Sequence, residues 1–183
     1  MSKYWIATAI EGVMQRSTPR FEDQRGAFSE LWRHSLTAEL GDERFVQANL
    51  SFSRAGVLRG MHFHRRQVDL WVLIEGRALV ANTDLRGSLD PTAAPNSGRP
   101  RSQLLTLEPG DALYIPRLVA HGFWAPDDMA LVYLVSNEYD SSDELGFAWN
   151  DPVVGIDWPD GEPTLSDRDL KNPPLAEAVA RLR

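Results

Sequence analysis

The sequence predicts an all-β sandwich or barrel with short peripheral helices. Short runs of apolar or alternating side chains recur along the 183-residue chain, and Gly, Pro, Asn and Asp separate them. Such runs are typical of strands joined by tight turns. Helical character is confined to short stretches near residues 35 and 175. Many closely spaced strands with almost no helix indicate a sandwich or a barrel rather than a mixed fold.

The first half of the chain is predicted to contain three strands and a short helix. One or two helical turns are expected at residues 35–40, with Ser35 as the N-cap. The last of the strands has two distinct faces, because Gln47, Asn49 and Ser51 alternate with apolar residues. The predicted strands are residues 4–10, the alternating Phe28, Glu30 and Trp32 after an Asp-Gln-Arg-Gly turn, and residues 45–52.

The second half of the chain is predicted to be richer in strands. The first two form a hairpin about Glu75-Gly76, since this pair follows an apolar run. Residues 87–101 are rich in Pro, Gly, Ser and Asn and are predicted to form a surface loop. The chain is expected to be irregular after residue 137 and to end in a helix at 175–182. The predicted strands are residues 70–74, 77–85, 102–107, 112–115 and 129–135.

Composition limits the classes of protein that the chain can belong to. Apolar residues make up 43% of the chain, so it is expected to fold into a sizeable core. A net charge of −7 argues against a nucleic-acid partner, and the absence of Cys excludes disulfides and thiolate chemistry. No apolar run reaches membrane-spanning length, and no signal peptide is recognised after Met1, so a cytoplasmic location is expected. Without repeats or linkers, residues 1–183 are expected to form one domain.

Three of the four histidines fall in two short segments. His62 and His64 are one residue apart on a predicted strand, so their side chains point to the same face. Asp69 follows at the start of the next apolar strand, and His121 lies beyond the turn at Pro109-Gly110. Imidazoles and a carboxylate on strands predict a concave polar site at the centre of the protein.

The spacing of these residues resembles the cupin pattern. In that pattern a Gly precedes His-x-His, an acidic residue follows, and a second block carries Gly, Pro and another His. The resemblance implies a cupin jelly roll, whereas strand periodicity alone leaves sandwich and barrel open. The matching positions are Gly56, His62, His64, Asp69 and Gly76 in the first block, and Gly110, Pro116 and His121 in the second.

Within the cupins, the chain more specifically resembles the dTDP-4-dehydrorhamnose 3,5-epimerases, which act on nucleotide-linked 4-keto-6-deoxysugars. Each shared segment is weak alone, but the segments come in family order and cover nearly the whole chain. They are Asp23-x-Arg25-Gly26-x-Phe28-x-Glu30, Phe45-Val46-Gln47-x-Asn49-x-Ser51, Gly56-Val57-Leu58-Arg59-Gly60-Met61-His62-Phe63, Asp84-Leu85-Arg86, Ile115-Pro116, Ala120-His121-Gly122-Phe123, Tyr133, Trp149-Asn150-Asp151-Pro152 and Leu165-Ser166-x-x-Asp169.

The resemblance implies a role for each residue of the predicted site. His62 corresponds to the general base, Asp169 to the carboxylate that orients it, and Tyr133 to the acid on the other face of the sugar. In the family the nucleotide contacts near Arg25 reach into the neighbouring subunit, which implies a homodimer, and no cofactor is expected. The substrate-binding residues implied in this way are Arg25, Phe28, Glu30, Gln47, Asn49, Arg59, Asp69 and His121.

Epimerisation beside a ketone has three chemical requirements. It needs a base on one face, a proton donor on the other, and a positive or hydrogen-bonding group near the ketone oxygen. His62 with Asp169 meets the first requirement, since a neighbouring carboxylate fixes the imidazole tautomer, and the phenol of Tyr133 meets the second. The third falls to Arg59, to His121, or to whatever His64 and Asp69 bind.

Asp69 departs from the family pattern. The family usually has Lys at this position, where it is thought to stabilise the enolate, and it usually has no His at position 64. A carboxylate in place of a cation would oppose the enolate charge. The sequence therefore leaves open whether carbon 3, carbon 5 or both are epimerised, and it does not identify the nucleotide.

Two other functions fit the same residues. His62, His64, Asp69 and His121 provide three imidazoles and a carboxylate, a ligand set that suits Fe, Mn, Ni, Zn or Cu. A metal there would form an oxygenase or isomerase centre, or would replace the family's Lys as the electrophile on the ketone oxygen. The third function is a non-catalytic sugar-nucleotide binder, in which Asp69 marks lost chemistry.

Overall fold

Two antiparallel β-sheets form the body of the protein. The computed structural model describes residues 4–41, 43–87 and 99–181. The strands are β1 (Ile6–Ala7), β2 (Met14–Ser17), β3 (Phe21–Asp23), β4 (Gly26–Phe28), β5 (Gln47–Ser53), β6 (Leu58–Phe63), β7 (Asp69–Glu75), β8 (Ala78–Asp84), β9 (Ser102–Leu107), β10 (Asp111–Ile115), β11 (Val119–Trp124), β12 (Met129–Val135) and β13 (Leu145–Gly146). The short helices are α1 (His34–Thr37), α2 (Asp167–Leu170) and α3 (Leu175–Ala180), with a 3₁₀ turn at Ala38–Leu40.

The strand order is that of a two-layer sandwich. The larger sheet has the order β1-β2-β10-β7-β12-β5, and the smaller sheet has the order β13-β6-β11-β8-β9. Strands β3 and β4 form a separate hairpin. This arrangement confirms the predicted all-β fold and the cupin jelly roll with short peripheral helices. No helix within the described ranges is long and apolar enough to cross a membrane.

The core fills the space between the two sheets. Leu73, Leu113 and Leu131 of the larger sheet and Val80 and Phe123 of the smaller sheet belong to one buried cluster. Each fully buried side chain of this size contributes about 1.5 to 3 kcal/mol to folding. The sandwich is therefore held mainly by the alternate, inward-facing residues of its strands.

Further buried clusters cover the outer faces of both sheets. On the smaller sheet, Phe147 and Leu175 from the C-terminal region pack against Phe63. On the larger sheet, Trp5 packs with Leu70, and its indole Nε1–H donates to the carbonyl oxygen of Leu36 at 2.7 Å. The segments around the sandwich are thus anchored to it, including the region that carries α2 and α3.

Strand β5 lies at an edge of the larger sheet and has the two faces predicted from its alternation. Gln47, Asn49 and Ser51 are half-buried on its inner side. The outer side carries apolar residues that are exposed in the single chain. The exposed fraction is 57% for Leu50 and 70% for Phe52.

Two glycines let strands β6 and β11 approach closely beside the predicted site. A Cβ atom on Gly60 would lie 2.7 Å from the Cα atom of Gly122. Gly60 also has a φ of 139°, which residues with a side chain rarely adopt. Next to this contact, His62 of β6 and His121 of β11 are paired across the two strands.

Several predicted boundaries are confirmed and others are wrong. The hairpin predicted about Glu75-Gly76 is also wrong, because β7 belongs to the larger sheet and β8 to the smaller sheet, so the two strands do not pair with each other. Strands Ser102–Leu107 and Met129–Val135 have the predicted ends. The strand predicted at 4–10 is reduced to Ile6–Ala7, and the strand predicted through Phe28, Glu30 and Trp32 ends at Phe28, because its hairpin partner β3 is only three residues long.

The helix predictions also need correction. Helix α1 begins at His34, with Arg33 at the N-cap position and no side-chain capping bond, so Ser35 is not the cap. The C-terminal helix ends at Ala180, and Leu182 lies outside the described residues. Most of the predicted loop at 87–101 also lies outside them.

Candidate active site

Residues of both sheets line a cavity of about 250 Å³. His62 and His121 come from the smaller sheet, whereas Asp69 and Tyr133 come from the larger sheet. A group bound in the cavity therefore lies between His62 on one wall and Tyr133 on the other. The lining residues are Ser51, Arg59, His62, His64, Gln67, Asp69, Trp71, His121, Phe123, Leu131, Tyr133, Glu144 and Arg168.

His62 and Asp169 form a hydrogen-bonded pair. It is here called the base pair, because His62 is the predicted general base. The imidazole Nε2 of His62 lies 2.6 Å from Oδ1 of Asp169, although 107 residues separate them in the chain. A carboxylate only accepts, so Nε2 carries the proton and Nδ1 is the nitrogen with the free lone pair. The His62 side chain is 23% exposed and that of Asp169 only 3%, so the imidazole alone is open to the cavity.

Helix α2 holds Asp169 in place. Ser166 is the N-cap of this helix, and its hydroxyl accepts from the backbone N–H of Asp169 at 3.1 Å. Burial opposes ionisation of Asp169, but hydrogen bonds that include those of His62 and Ser166 outweigh it, so the pKa of Asp169 lies below its ordinary value. The carboxylate therefore stays charged beside the imidazole at neutral pH.

Tyr133 is half-buried on β12 and lines the wall opposite His62. Burial is the main cause that raises the pKa of its phenol, and the negative charges of Asp69 and Glu144 act in the same direction. The phenol therefore stays protonated at neutral pH, as a proton donor must.

His64, Asp69 and His121 form a second, more deeply buried group, here called the acceptor cluster. Each residue offers one ligand atom, and these atoms all lie within 4.8 Å of one another. Nε2 of His121 lies 3.6 Å from Oδ2 of Asp69. Burial lowers the pKa of His121 to about 4, although the charge of Asp69 acts in the opposite direction. The ring is therefore neutral at neutral pH.

Backbone carbonyls fix the tautomers of both histidines in the acceptor cluster. Nδ1–H of His64 donates to the carbonyl oxygen of Asp143 at 2.8 Å, and Nδ1–H of His121 donates to that of Val119 at 3.1 Å. In this tautomer Nε2 is the acceptor atom of each ring.

Two neutral donors satisfy Asp69. The Gln67 amide donates to its Oδ1 at 2.8 Å, and the indole of Trp71 donates to its Oδ2 at 3.2 Å. Gln67 also lies 3.2 Å from Nε2 of His64. Neither Gln67 nor Trp71 was predicted in the site. Trp71 shares the face of β7 with Asp69, and Gln67 lies two residues before Asp69, just ahead of the strand.

The cationic side chains of the cavity lie around the acceptor cluster but not within it. Arg59 donates from Nε to the hydroxyl of Ser53 at 3.0 Å and from Nη2 to the carbonyl oxygen of Phe52 at 3.1 Å. Arg168 forms an ion pair with Glu144 at 2.7 Å. Neither Arg168 nor Glu144 was expected in the site, because Arg168 is an unmatched position of helix α2 and Glu144 lies in the loop before β13.

The structure places the other predicted residues away from this cavity. Gln47 donates to Oδ1 of Asn49 at 2.9 Å, and neither residue lines the cavity, although Ser51 of the same face does. Arg25, Phe28 and Glu30 are exposed or half-buried at the hairpin β3–β4 and the segment after it. There Arg25 pairs with Asp23, and Glu30 pairs with Arg33.

The metal set suggested by the sequence needs one correction. Among the described residues, the group that could hold an ion is His64, Asp69 and His121, without His62. His62 has its Nε2 committed to Asp169 and belongs to the base pair instead. Arg65 and Arg66, which follow His64 in the chain, form ion pairs with Asp143 and not with Asp69.

Comparison with known proteins gives consistent matches along the chain. The family described as dTDP-4-dehydrorhamnose 3,5-epimerase matches residues 7–177. A dTDP-4-dehydrorhamnose 3,5-epimerase of Streptomyces griseus is 37% identical over 180 residues, which cover 94% of this chain and 87% of the relative.

Two solved structures are also similar. NovW, a 4-keto-6-deoxy sugar epimerase from the novobiocin biosynthetic gene cluster of Streptomyces spheroides, has a TM-score of 0.83 and 34% identity, covering 97% of this chain and 89% of its own. ChmJ, a 3'-monoepimerase from Streptomyces bikiniensis in complex with dTDP-quinovose, has a TM-score of 0.81 and 30% identity, covering 96% of this chain and 89% of its own.

Fold, cavity and relatives together define the protein as an epimerase, a class of isomerase. The His62–Asp169 pair and Tyr133 lie on opposing walls of one cupin cavity. Since the match covers residues 7–177, the chain belongs to the dTDP-4-dehydrorhamnose 3,5-epimerase family.

Proposed function

We propose that this protein epimerises a dTDP-linked 4-keto-6-deoxyhexose at carbon 3, carbon 5 or both, as a step of deoxysugar biosynthesis. The family, the described activity of NovW and the dTDP-sugar held by ChmJ support this substrate class. The observation that carries the proposal is the 2.6 Å contact between His62 and Asp169, which leaves the second ring nitrogen free in the cavity shared with Tyr133.

In the proposed reaction His62 acts as the base. Its Nδ1 removes the proton from the carbon beside the ketone, and the electron pair of that C–H bond forms the enolate. The resulting imidazolium is stabilised by the charged carboxylate of Asp169. Base catalysis of this kind contributes about 10²- to 10⁴-fold in rate.

Tyr133 is the proposed proton donor. Because it lies on the sheet opposite His62, its phenol can protonate the enolate from the other face, which inverts the carbon. The raised pKa of Tyr133 keeps the proton available at neutral pH. After the reaction His62 holds one extra proton and Tyr133 lacks one. Exchange with solvent removes the first and replaces the second, which restores the starting state.

The remaining binding roles are proposed from position and charge. Arg59 has a guanidinium at the cavity and suits the diphosphate. Gln47 and Asn49 continue the polar inner face of β5 and would contact the sugar nucleotide beyond the cavity. Phe28 is 66% exposed beside Arg25 on the hairpin, so an aromatic ring and a cation are available to a nucleotide.

A homodimer is the proposed assembly. The outer side of β5 exposes Leu50 and Phe52 on an edge strand, a surface that a second copy of the chain would cover. The exposed hairpin of one subunit would then contribute Arg25, Phe28 and Glu30 to the nucleotide site of the other. Sedimentation equilibrium tests this assembly, and a monomer at micromolar concentration would contradict it.

The activity is tested by proton NMR of dTDP-4-keto-6-deoxyglucose in deuterated water. Active protein should replace hydrogen by deuterium at carbon 3, carbon 5 or both. The His62→Ala variant should lose this exchange and keep its affinity for dTDP, since the base does not hold the nucleotide. If the wild-type protein binds dTDP but shows no exchange, the epimerase proposal is rejected. The protein would then be the non-catalytic sugar-nucleotide binder, in which Asp69 marks lost chemistry.

A further inference from the structure

We propose that the acceptor cluster of His64, Asp69 and His121 binds one divalent transition-metal ion, and that this ion holds the ketone oxygen of the sugar. The role of the ion rests on the proposed function, whereas the site itself rests on geometry alone. The proposal departs from the cofactor-free reaction that the resemblance implied.

Backbone hydrogen bonds decide which nitrogen of His64 and of His121 can bind a cation. Because Nδ1–H of His64 and of His121 each donate to a backbone carbonyl, at 2.8 Å and 3.1 Å, Nε2 is the acceptor atom of each ring. Nε2 of His64 accepts from the neutral amide of Gln67 at 3.2 Å, a donor that a metal ion would displace. Together with a carboxylate oxygen of Asp69, the three ligand atoms lie within 4.8 Å of one another. Histidine ligands of metals are held in this way, with the second ring N–H bonded to a carbonyl or a carboxylate.

The negative charge of Asp69 is buried beside neutral donors. Asp69 is only 4% exposed, and its hydrogen-bond donors, Gln67 and Trp71, are both neutral. In the part of the chain that the structure describes, no Arg or Lys forms an ion pair with Asp69, and Arg65 pairs with Asp143 instead. A buried carboxylate between two imidazole acceptors lacks a cation, and a metal ion would supply it.

The ligand types define the class of ion. Two imidazole nitrogens and one carboxylate oxygen are the set that Zn²⁺ and Fe²⁺ use in catalytic sites, where open positions remain for substrate. Ca²⁺ and Mg²⁺ prefer oxygen ligands only. The amide of Gln67, which contacts both Asp69 and His64, must turn aside or present its oxygen when the ion binds.

The location of the cluster gives the ion its role. His121 and His62 are paired across strands β6 and β11, so the ion would lie beside the base. When His62 takes the carbon-bound proton, the electron pair moves into the enolate and the negative charge moves to the ketone oxygen. An ion on that oxygen stabilises the charge from the side where Asp69 stands in place of the family's Lys, and no oxidant or reductant is needed.

Metal titrations of chelator-stripped protein test the site without any substrate. Calorimetry with Zn²⁺, and visible absorption with Co²⁺ as a spectroscopic substitute, should both saturate at one ion per chain. Asp69→Asn and His64→Asn should each weaken Zn²⁺ binding by about 100-fold or more, because each removes one of three protein ligands.

Control variants separate the ligands from their neighbours. His62→Asn, in the same cavity, and His34→Asn, elsewhere on the chain, should bind Zn²⁺ as the wild type does. Gln67→Ala should bind at least as tightly, since it keeps all three ligands and removes the amide between them; this variant also tests the site if Asp69→Asn fails to fold. Non-saturable binding, or Zn²⁺ affinity that survives Asp69→Asn and His64→Asn, would overturn the site.

Deuterium exchange then tests the role of the ion separately. Exchange that disappears on stripping and returns with Zn²⁺ supports it. Equal exchange in stripped and loaded protein overturns the role while the epimerase proposal stands. No exchange in either form overturns the epimerase and the role together, and the titrations still decide whether the site exists.

Discussion

The base pair and the acceptor cluster use the same residue types in one cavity, but their ring nitrogens are connected differently. In the base pair, Nε2 of His62 donates to a carboxylate at 2.6 Å and Nδ1 is free. In the acceptor cluster, Nδ1 of His64 and of His121 donates to a carbonyl, and Nε2 is the acceptor atom beside a carboxylate. The partner of each ring therefore decides whether a histidine is prepared to move a proton or to bind a cation.

The two groups also differ in how the chain builds them. Asp169 reaches the base pair from α2, 107 residues along the chain from His62, and the pair leaves the imidazole 23% exposed. His64 and His121 are each only 5% exposed. A base needs contact with substrate and solvent, whereas a ligand group gains from a closed and rigid pocket.

The largest expected effect comes from breaking the base pair with Asp169→Asn. The amide cannot fix the tautomer of His62 or stabilise its imidazolium, so deuterium exchange should fall by about 10²-fold or more. Zn²⁺ binding should be unchanged, because the acceptor cluster is intact. Asp167→Asn is the matched control, since Asp167 is exposed on the same helix. Equal losses of deuterium exchange in both variants would show that the exchange depends on the integrity of α2 rather than on the carboxylate of Asp169.

Tyr133→Phe should have a smaller effect, and it should separate deuterium exchange from formation of the epimer. The base pair can still remove a proton and return a deuteron from the same face, so exchange should stay within about threefold of the wild type. Inversion needs the donor on the opposite wall, so formation of the epimer should fall by about 10- to 100-fold. NMR of the same sample measures both rates, and a parallel fall of both would remove Tyr133 from the donor role.

The smallest expected effect is that of alkaline pH on the donor. Burial raises the pKa of Tyr133 above its ordinary value of 10.0, so the phenol remains protonated when the solution is mildly alkaline. The ratio of epimer formation in wild type to that in Tyr133→Phe should therefore stay constant between about pH 7 and about pH 9. A ratio that declines across this range would mean that Tyr133 ionises more easily than its buried position allows.

Local patterns in the sequence were sufficient for much of the fold. Strand Met129–Val135 and the two faces of β5 follow from the alternation of residues, and the structure confirms both. The strand through Glu30 and Trp32 was wrong, because the same alternation also occurs where no partner strand is present to continue the sheet. Alternation shows which side chains share a face, but it does not show where hydrogen-bonding partners end.

The residues of the base pair and of the acceptor cluster were predicted from the sequence, but other residues that line the cavity, such as Glu144 and Arg168, were not. His64, Asp69 and His121 were recognised by spacing, and Trp71 follows from the alternation after Asp69. The pairing of His62 with Asp169 came only from the family resemblance, since no local pattern links residues so far apart. The tautomers depend on backbone carbonyls of a distant loop and of β11, which no side-chain pattern reveals.

The close contact of Gly60 with Gly122 has a consequence for how such an enzyme can diverge. Backbone, rather than side chains, sets the spacing of His62 and His121, whereas residue 69 belongs to the opposite sheet. A substitution at position 69 can then change the charge in the cavity without displacing His62. In the proposed reaction, the residue at this position decides whether the positive charge on the ketone oxygen belongs to the chain itself or to an ion taken from solution, and the proton-transfer residues stay in place in either case.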